Sequence, residues 1–299
     1  MSSVALTGGS GLIGTRLRQA LTRRGDRVVS FVRDPARAGT GDRFWDPASG
    51  HVDALAVEGL DAIVHLAGEP IASGRWTAAR KRRILESRVR STRLLCDALA
   101  TAQEPPGVLI SASAIGYYGD RGEAWIAEES EPGEGFLAEV CVAWEEATRA
   151  ARAAGIRVAL ARIGVVLAPE GGALARMLPI FRLGLGGRLG NGRQYLSWIG
   201  IDDAVAALEH ALDCEALSGP FNLVGPNPAT NTEFTRTLSR VLSRPAVLPV
   251  PSLALRLAVG EMAQALLLDG ARIAPRRLQS TGFRFRHPDL EGALRSLLA

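Results

Sequence analysis

Short apolar segments alternate with longer amphipathic segments through the first half of the chain. The apolar segments are rich in β-branched residues and predict buried strands, whereas the amphipathic segments predict helices. The predicted strands are 3–7, 27–32, 61–66, 107–112 and 156–162. The predicted helices lie near 12–24, 77–101 and 136–154. Alternation of this kind favours an α/β fold with a doubly wound parallel sheet, the Rossmann architecture.

The pattern changes after residue 168, where a glycine-rich and loop-like stretch begins. We therefore expect a Rossmann domain over 1–168 and a smaller C-terminal substrate lobe over 169–299. A short apolar segment near 220–225 is expected to return to the sheet as a further strand. The lobe should cover the carboxyl ends of the strands, which is where ligands bind in open α/β sheets.

The overall composition is typical of a globular protein of the cell interior. The 299 residues are 47% hydrophobic and 22% charged, with a formal net charge of +4. Three widely separated cysteines form neither a metal-ligand spacing nor a disulfide framework, which indicates a reducing compartment and no metal. The basic segment 76–93 has no aromatic platform beside it, so we expect a solvated helix face and no nucleic-acid partner. The first predicted strand begins at residue 3 and no apolar stretch is of membrane-spanning length, so we expect a cytoplasmic protein without a membrane partner.

Three glycines follow the first predicted strand at intervals of three residues and precede a predicted helix. Gly8 would let the chain turn, Gly11 would let backbone N–H groups approach a pyrophosphate, and Gly14 would let helix and strand pack closely. The free N–H groups and positive dipole end of the helix would then face the anion. The alternative is a glycine-rich turn that binds no ligand. The residues expected at the pyrophosphate are Gly8, Ser10, Gly11, Leu12, Ile13 and Gly14.

The end of the second predicted strand bears on the choice of nucleotide. Sites for NAD carry an acidic residue there to bind the ribose hydroxyl, whereas here Arg33 occupies the strand-end position. A guanidinium binds a 2′-phosphate through two parallel hydrogen bonds, so we predict NADP(H) rather than NAD. In the competing interpretation Asp34 faces the ribose and Arg33 is merely exposed. His65 in the third predicted strand is either a base that faces a ligand or, more commonly for such a histidine, a packed strand residue.

Short motifs spread along nearly the whole chain resemble one known family. After the glycine motif they are HLAGEPI at 65–71, SRVRST at 87–92, SASAIGYYG at 111–119, VCVAWE at 140–145, SWIGIDD at 197–203, GEMA at 260–263 and GFRF at 282–285. Together they resemble the extended short-chain dehydrogenase/reductases of the NAD(P)-dependent epimerase/dehydratase kind. More narrowly, they resemble the atypical epimerase family sometimes labelled cell-division inhibitor, which has a small C-terminal domain.

The resemblance implies an NADP(H)-binding domain with an active site between two lobes, but it does not supply the usual catalytic set. Ser113 matches the catalytic serine of the family. The family tyrosine opens the next helix, and Phe136 or Leu137 stands at that place. Val140 or Cys141 stands at the place of the family lysine. Arg88 stands at the place of the asparagine that the family carries in the preceding helix. Neither phenylalanine nor valine can transfer a proton.

The Tyr-x-x-x-Lys pair of this superfamily cannot form anywhere in the chain. Lys81 is the only lysine among 35 basic residues, and the three tyrosines are Tyr117, Tyr118 and Tyr195. The residues four positions after these tyrosines are Arg121, Gly122 and Ile199. We therefore predict that Ser113 orients a substrate oxygen and that Tyr117 or Tyr118 supplies the proton. The alternative for both tyrosines is an aromatic lining of the pocket.

The remaining predicted contacts to the cofactor are spread over several segments: Leu66, Ala67, Gly68, Glu69, Arg88, Ser111 and Arg162. Among them, Glu69 follows the third strand and is also a candidate base, and Arg162 ends a strand near the expected nicotinamide. The sequence thus predicts an oxidoreductase- or epimerase-like enzyme that uses NADP(H) on a small substrate, such as a sugar nucleotide or a carbonyl compound. The alternative is a regulatory protein that senses NADPH with little or no catalysis. The sequence carries no signal for the oligomeric state.

Overall fold

An eight-stranded sheet forms the centre of the computed structural model, which describes residues 1–34, 39 and 41–299, with the backbone alone at 54 and 55. Numbered in chain order, the strands are β1 Ser3–Thr7, β2 Arg27–Val32, β3 Arg43–Asp46, β4 His51–Val52, β5 Ala62–His65, β6 Val108–Ala114, β7 Trp125–Ile126, β8 Arg157–Ile163, β9 Val165–Ala168, β10 Tyr195–Leu196, β11 Trp198–Gly200, β12 Gly219–Leu223, β13 Ala229–Thr230 and β14 Arg272–Ile273. The helices are α1 Leu12–Arg24, α2 Ala78–Thr101, α3 Phe136–Glu146, α4 Arg149–Ala153, α5 Gly172–Arg182, α6 Ile201–Asp213, α7 Asn231–Leu242, α8 Ser252–Val259, α9 Glu261–Ala263, α10 Arg276–Ser280 and α11 Leu290–Leu298.

The strand order across this sheet is β12-β8-β6-β5-β1-β2-β3-β4. The first seven strands in this order pair in parallel, and only β4 runs antiparallel to its neighbour. The chain order reverses between β1 and β5, so the loops that leave these two strands diverge to opposite faces and leave a crevice. This topology confirms the predicted α/β fold of the Rossmann type.

Both faces of the sheet are buried by helices, as the apolar character of the strands requires. Val4 and Leu6 of β1 point to the face covered by α1 and α6, whereas Ala5 points to the face covered by α2 and α4. Each of these three side chains is at most 1% exposed. Successive residues of one central strand therefore belong to different cores, which accounts for the near-continuous apolar runs in the sequence.

The predicted helix over 136–154 is interrupted in the structure. Helix α3 ends at Glu146 and α4 begins at Arg149, and between them Thr148 has a ψ angle of 0°. The hydroxyl of Thr148 donates to the carbonyl oxygen of Glu145 at 2.7 Å. A threonine side chain that bonds the backbone in this way competes with the helical ladder, so the prediction of one continuous helix was wrong.

The second half of the chain contributes to the sheet as well as to the lobe. Strand β12 pairs with β8 at the sheet edge, and α6 packs on α1. Helices α5, α7 and α11 form a separate apolar core around Leu174, Phe234 and Leu294. A division of the chain at residue 168 stays a prediction. Among the described residues, no helix combines the length and apolar character needed to cross a membrane.

Candidate functional site

The glycine loop between β1 and α1 lies against the carboxyl end of β5. Gly8 has a φ angle of +69°, and a Cβ built on it would lie 2.8 Å from the carbonyl carbon of Leu66 and 2.9 Å from the nitrogen of Ala67. A Cβ on Gly14 would lie 2.3 Å from the carbonyl oxygen of Gly8. Only glycine fits at these two positions: both are crowded by backbone, and Gly8 also has a positive φ angle in the turn, whereas Gly14 lies in the first turn of α1.

The amino end of α1 is open at this loop. Gly11 is its N-cap in extended conformation, no side chain caps it, and the first turn carries no acidic residue. Ser10 and Gly11 are exposed, and Leu12 and Ile13 are half-buried. The N–H groups of a first helical turn have no partner within the helix, so an uncapped end of this kind binds an anion well. These residues therefore fit the pyrophosphate of a dinucleotide.

Thr7 and His65 join the ends of the two strands at the crevice. The hydroxyl of Thr7 accepts from the N–H groups of Leu66 and Ala67, each at 3.2 Å, and lies 2.7 Å from Nδ1 of His65. Nε2 of His65 lies 3.0 Å from the hydroxyl of Thr92 on α2. The imidazole is 0% exposed, and burial lowers its pKa to about 4. His65 is thus a packed, neutral strand residue and does not face a ligand.

Arg33 follows β2 directly and is exposed at the same edge of the sheet. Since β2 is the parallel neighbour of β1, this position lies beside the glycine loop. Asp34 is exposed as well, so the choice between the two for the ribose stays a prediction. Residues 35–38, which continue this segment, lie outside the described residues.

Ser113 and Arg162 lie side by side on β6 and β8 and share the carboxylate of Glu145. The hydroxyl of Ser113 donates to Oε1 of Glu145 at 2.7 Å. Nε and Nη2 of Arg162 donate to the two oxygens of Glu145 at 2.8 and 2.9 Å. Burial alone would lower the pKa of Arg162, but the hydrogen bonds and charge of Glu145 raise it. The result is a two-pronged ion pair in which the side chains are 4% and 11% exposed.

The two adjacent tyrosines occupy different environments around the same arginine. The hydroxyl of Tyr118 donates to Asn222 at 2.7 Å and accepts from Nη1 of Arg162 at 2.9 Å. Tyr118 is 0% exposed, and burial raises its pKa to about 12. The ring of Tyr117 lies with its centroid 3.5 Å from the guanidinium carbon of Arg162, and this residue is half-buried. Within the described part of the chain, the Tyr117 hydroxyl has no hydrogen-bond partner.

The structure thus brings Ser113, Tyr117, Tyr118 and Arg162 together but fully buries most of them. Ser113 is 1% exposed, and Ser111 on the same strand is 0% exposed. Sequence reasoning assigned no role to Glu145, which holds this cluster together. Its position in the sequence could have indicated a role. Glu145 follows Cys141 by four residues, so it lies on the same helix face as the place of the family lysine, one turn further on.

A cavity of about 370 Å³ opens between the carboxyl edge of the sheet and the C-terminal lobe. The wall formed by α3 is largely apolar and includes Phe136, Leu137, Val140 and Trp144. Cys141 also lines it, and burial raises the pKa of that thiol to about 11, so it is not a reactive thiolate. The positions at which the family carries its tyrosine and lysine therefore present an apolar surface to the cavity.

Lys81 lies closer to this cavity than its place in the sequence suggests. Its Nζ is 5.1 Å from the ring centroid of Phe136 and 2.5 Å from Oε1 of Glu261. Both Phe136 and Glu261 line the cavity. The only lysine of the chain is thus at the cavity rim, paired with a carboxylate of the lobe.

Glu69 and Arg88 meet at the end of β5. The carboxylate of Glu69 forms an ion pair with Arg80, so it is held by α2 and is not a free base. Nη1 of Arg88 donates to the carbonyl oxygens of Glu69 and Ile84 at 3.0 and 3.1 Å. A Cβ on Gly68 would lie 3.3 Å from Cζ of Arg88, so the glycine leaves room for the guanidinium. Burial lowers the pKa of Arg88, which lines the cavity.

No group of three or more potential metal-ligating side chains occurs in the ranges that the structure describes. The site is therefore a glycine loop at the switch point of a Rossmann sheet, followed by a cavity beneath a second lobe. The extended short-chain dehydrogenase/reductases have such an arrangement.

The comparisons with known proteins agree with this class. The model of the NAD dependent epimerase/dehydratase family matches residues 4–225, and a domain of unknown function, DUF1731, matches residues 250–297. The chain belongs to the NAD-dependent epimerase/dehydratase family, as the sequence motifs indicated.

Similar proteins match along almost the entire chain. An epimerase family protein of Mycobacterium bovis is 47% identical, covering 97% of this chain and 96% of its own length. The human epimerase family protein SDR39U1 is 37% identical, covering 99% of each chain. The crystal structure of human SDR39U1 (isoform 2) with NADPH has a TM-score of 0.89 and 36% identity, covering 99% of this chain and 98% of that one. A nucleoside-diphosphate sugar epimerase of Corynebacterium glutamicum has a TM-score of 0.82 and 37% identity, covering 99% of this chain and 58% of that one.

Proposed function

We propose that this protein binds NADP(H) at the glycine loop and uses it as an oxidoreductase or epimerase on a small molecule in the adjacent cavity. The observation that carries the proposal is the uncapped amino end of α1 at the β1–β5 crevice, with the exposed Arg33 at the neighbouring strand end. Human SDR39U1, which matches this chain closely in structure, was solved with NADPH.

Each part of the predicted nucleotide site has a distinct role in this proposal. The N–H groups of Leu12 and Ile13 bind the pyrophosphate, and Arg33 binds the 2′-phosphate. The backbone from Leu66 to Gly68 at the end of β5 lines the path of the cofactor. When bound, NADP(H) donates or accepts a hydride, and the residues of the cavity orient the substrate and move the proton.

We assign the proton transfer to Tyr117 in preference to Tyr118. What supports this choice is that the Tyr118 hydroxyl is already bonded on both sides and its pKa is raised to about 12 by burial. Ser113 is predicted to orient the substrate oxygen, which would require its hydroxyl to leave Glu145 or to share that hydrogen bond. With NADPH and carbonyl or sugar-nucleotide substrates, Tyr117→Phe and Ser113→Ala should lower kcat, whereas Tyr118→Phe should mainly lower stability. Full activity of Tyr117→Phe, or loss of activity in a stably folded Tyr118→Phe, would eliminate the assignment to Tyr117, and full activity of Ser113→Ala would eliminate the role of Ser113.

The nucleotide preference is tested by replacing Arg33. Arg33→Ala removes a charge-assisted contact and should weaken NADPH binding about tenfold or more while leaving NADH binding unchanged. Arg27→Ala is the matched control, because Arg27 is exposed at the opposite end of the same strand. Nucleotide fluorescence titration measures both affinities. Equal affinities of the wild type for NADPH and NADH would refute the preference.

The position of the pyrophosphate is tested by Gly11→Val. Gly11 has a φ angle of −76°, and its nearest contact for a Cβ is the Gly8 carbonyl oxygen at 3.3 Å, so a folded valine variant is expected. The branched side chain should then block the approach of the pyrophosphate. A variant that keeps the wild-type circular dichroism spectrum and still binds NADPH tightly would show that the loop is misassigned.

A regulatory protein that senses NADPH is the second candidate function. It is favoured by the apolar α3 wall, where the family's proton-transfer pair is absent. Tight NADPH binding with no turnover on any substrate of the screen would support the regulatory function over the enzymatic one.

A cytoplasmic location stays a prediction, and the similar Arabidopsis protein is named chloroplastic.

A further inference from the structure

Arg88 is a cation in the cavity that is not paired with a carboxylate. The residue lines the cavity, and no acidic side chain of the described residues lies within ion-pair distance of it. The charge of the Glu69 carboxylate acts on Arg88 without contact, because that carboxylate forms an ion pair with Arg80 and lies 3.5 Å from Arg83. A half-buried guanidinium that lacks a counter-ion has lost part of its hydration without a compensating charge, so a ligand that supplied a carboxylate would be bound favourably.

One edge of the Arg88 guanidinium remains available for such a ligand. Nη1 donates to two carbonyl oxygens, but Nε and Nη2 have no hydrogen-bond partner among the residues that the structure describes. Nε and Nη2 of Arg162 in the same molecule bind the two oxygens of the Glu145 carboxylate. The unused edge of Arg88 therefore has the geometry that receives a carboxylate.

The guanidinium is held in place before any ligand arrives. Its Cζ lies 5.0 Å from the ring centroid of Trp144, and Gly68 leaves space on another side. Together with the two carbonyl contacts, this packing limits the rotamers of the long side chain. A pre-organised arginine loses little entropy when it binds, which increases the affinity.

The rest of the cavity suits an apolar molecule with one charge. The acidic side chains of Glu134 and Glu261 are exposed at the rim, and Asp269 is hydrogen-bonded to Gln264. Apolar side chains, including Ile71, cover much of the interior wall. A sugar nucleotide would bring two phosphates and many hydroxyl groups into this volume of about 370 Å³, where Arg88 is the one basic side chain among the described lining residues.

We propose that the substrate is a predominantly apolar carboxylate, whose carboxylate binds the free Nε–Nη2 edge of Arg88. This inference rests on the proposed function, because it treats the cavity as the substrate site of an NADP(H)-binding protein. Arg88 is then a contact of the substrate, whereas the sequence predicted it as a contact of the cofactor.

The test is calorimetric titration of the full chain with octanoate, octanol, octyl phosphate and UDP-glucose, with and without saturating NADPH. The wild type should bind octanoate about tenfold or more tightly than octanol, and more tightly than the other two probes. Arg88→Met should lose this preference and leave octanol binding unchanged. Arg82→Met, an exposed position on the same helix, is the control and should behave like the wild type.

Several results would overturn the proposal. They are equal affinities of the wild type for octanoate and octanol, tighter binding of octyl phosphate or UDP-glucose, and a full octanoate preference in Arg88→Met. A loss of NADPH affinity without a loss of octanoate affinity in that variant would assign Arg88 to the cofactor. If Arg88→Met does not fold, Arg88→Lys retains a cation without the planar fork and should still weaken octanoate binding. Failure of the wild type to bind NADPH would refute the proposed function separately, because octanoate is also titrated without nucleotide.

Discussion

Replacing Arg162 with methionine should expose how much the buried ion pair contributes to stability. Methionine fills much of the arginine volume, so the change removes charge and donors with little loss of packing. Four hydrogen bonds are lost: two to Glu145 at 2.8 and 2.9 Å, one to Tyr118 at 2.9 Å and one to the carbonyl oxygen of Glu128 at 3.1 Å. Among the described residues, Ser113 is then the one remaining donor to the Glu145 carboxylate.

The expected loss is about 3–5 kcal/mol in the free energy of unfolding, because the variant leaves a buried charge without its partner. A control variant, Arg149→Met, removes an ion pair to Glu146 in which the side chains are 82% and 60% exposed. An exposed pair of this kind contributes about 0–1 kcal/mol, so the control should unfold close to the wild type.

Urea unfolding followed by circular dichroism measures the free energy of unfolding of each variant. The double variant Arg162→Met/Glu145→Leu completes a cycle that isolates the interaction between these two side chains from their other contacts. Removing both charges should be less damaging than the sum of the two single changes, with a coupling energy of about 2–3 kcal/mol. A loss below about 1 kcal/mol for Arg162→Met, similar to that of the control, would refute the reasoning that burial sets the magnitude.

Three further predictions test the loop, the buried histidine and the cysteines. Gly14→Ala places a Cβ 2.3 Å from a carbonyl oxygen of the loop, so it should weaken NADPH binding in fluorescence titration and lower the melting temperature. Since the pKa of His65 is lowered to about 4 by burial, the unfolded chain takes up a proton before the folded one as the pH falls from about 6.5. Stability should therefore decrease by roughly 3 kcal/mol between these pH values, and a His65→Gln variant that keeps this slope would contradict the assignment. Burial raises the pKa of Cys96 to about 12 and that of Cys141 to about 11, so iodoacetamide at pH 8 should label Cys214 first by mass spectrometry, and equal labelling of all three would count against their burial.

The sequence by itself determined the features that depend on local chemistry. Strands β1 and β2 and helix α1 lie at the predicted residues, because their apolar periods and the glycines that flank α1 are encoded within a few neighbouring positions. The positive φ angle of Gly8 follows from the local turn. The absence of the Tyr-x-x-x-Lys pair needed only the positions of one lysine and three tyrosines.

The tertiary structure decided which distant side chains meet, because such contacts depend on the packing of whole elements. It placed Lys81 near Phe136, and it joined Ser113 to a glutamate 32 residues further along the chain. It also buried Tyr118 while leaving Tyr117 half-buried, although the two residues are adjacent and of one type. Periodicity predicts that a residue lies on a helix or a strand, but burial and charge pairing depend on what the rest of the fold brings against it.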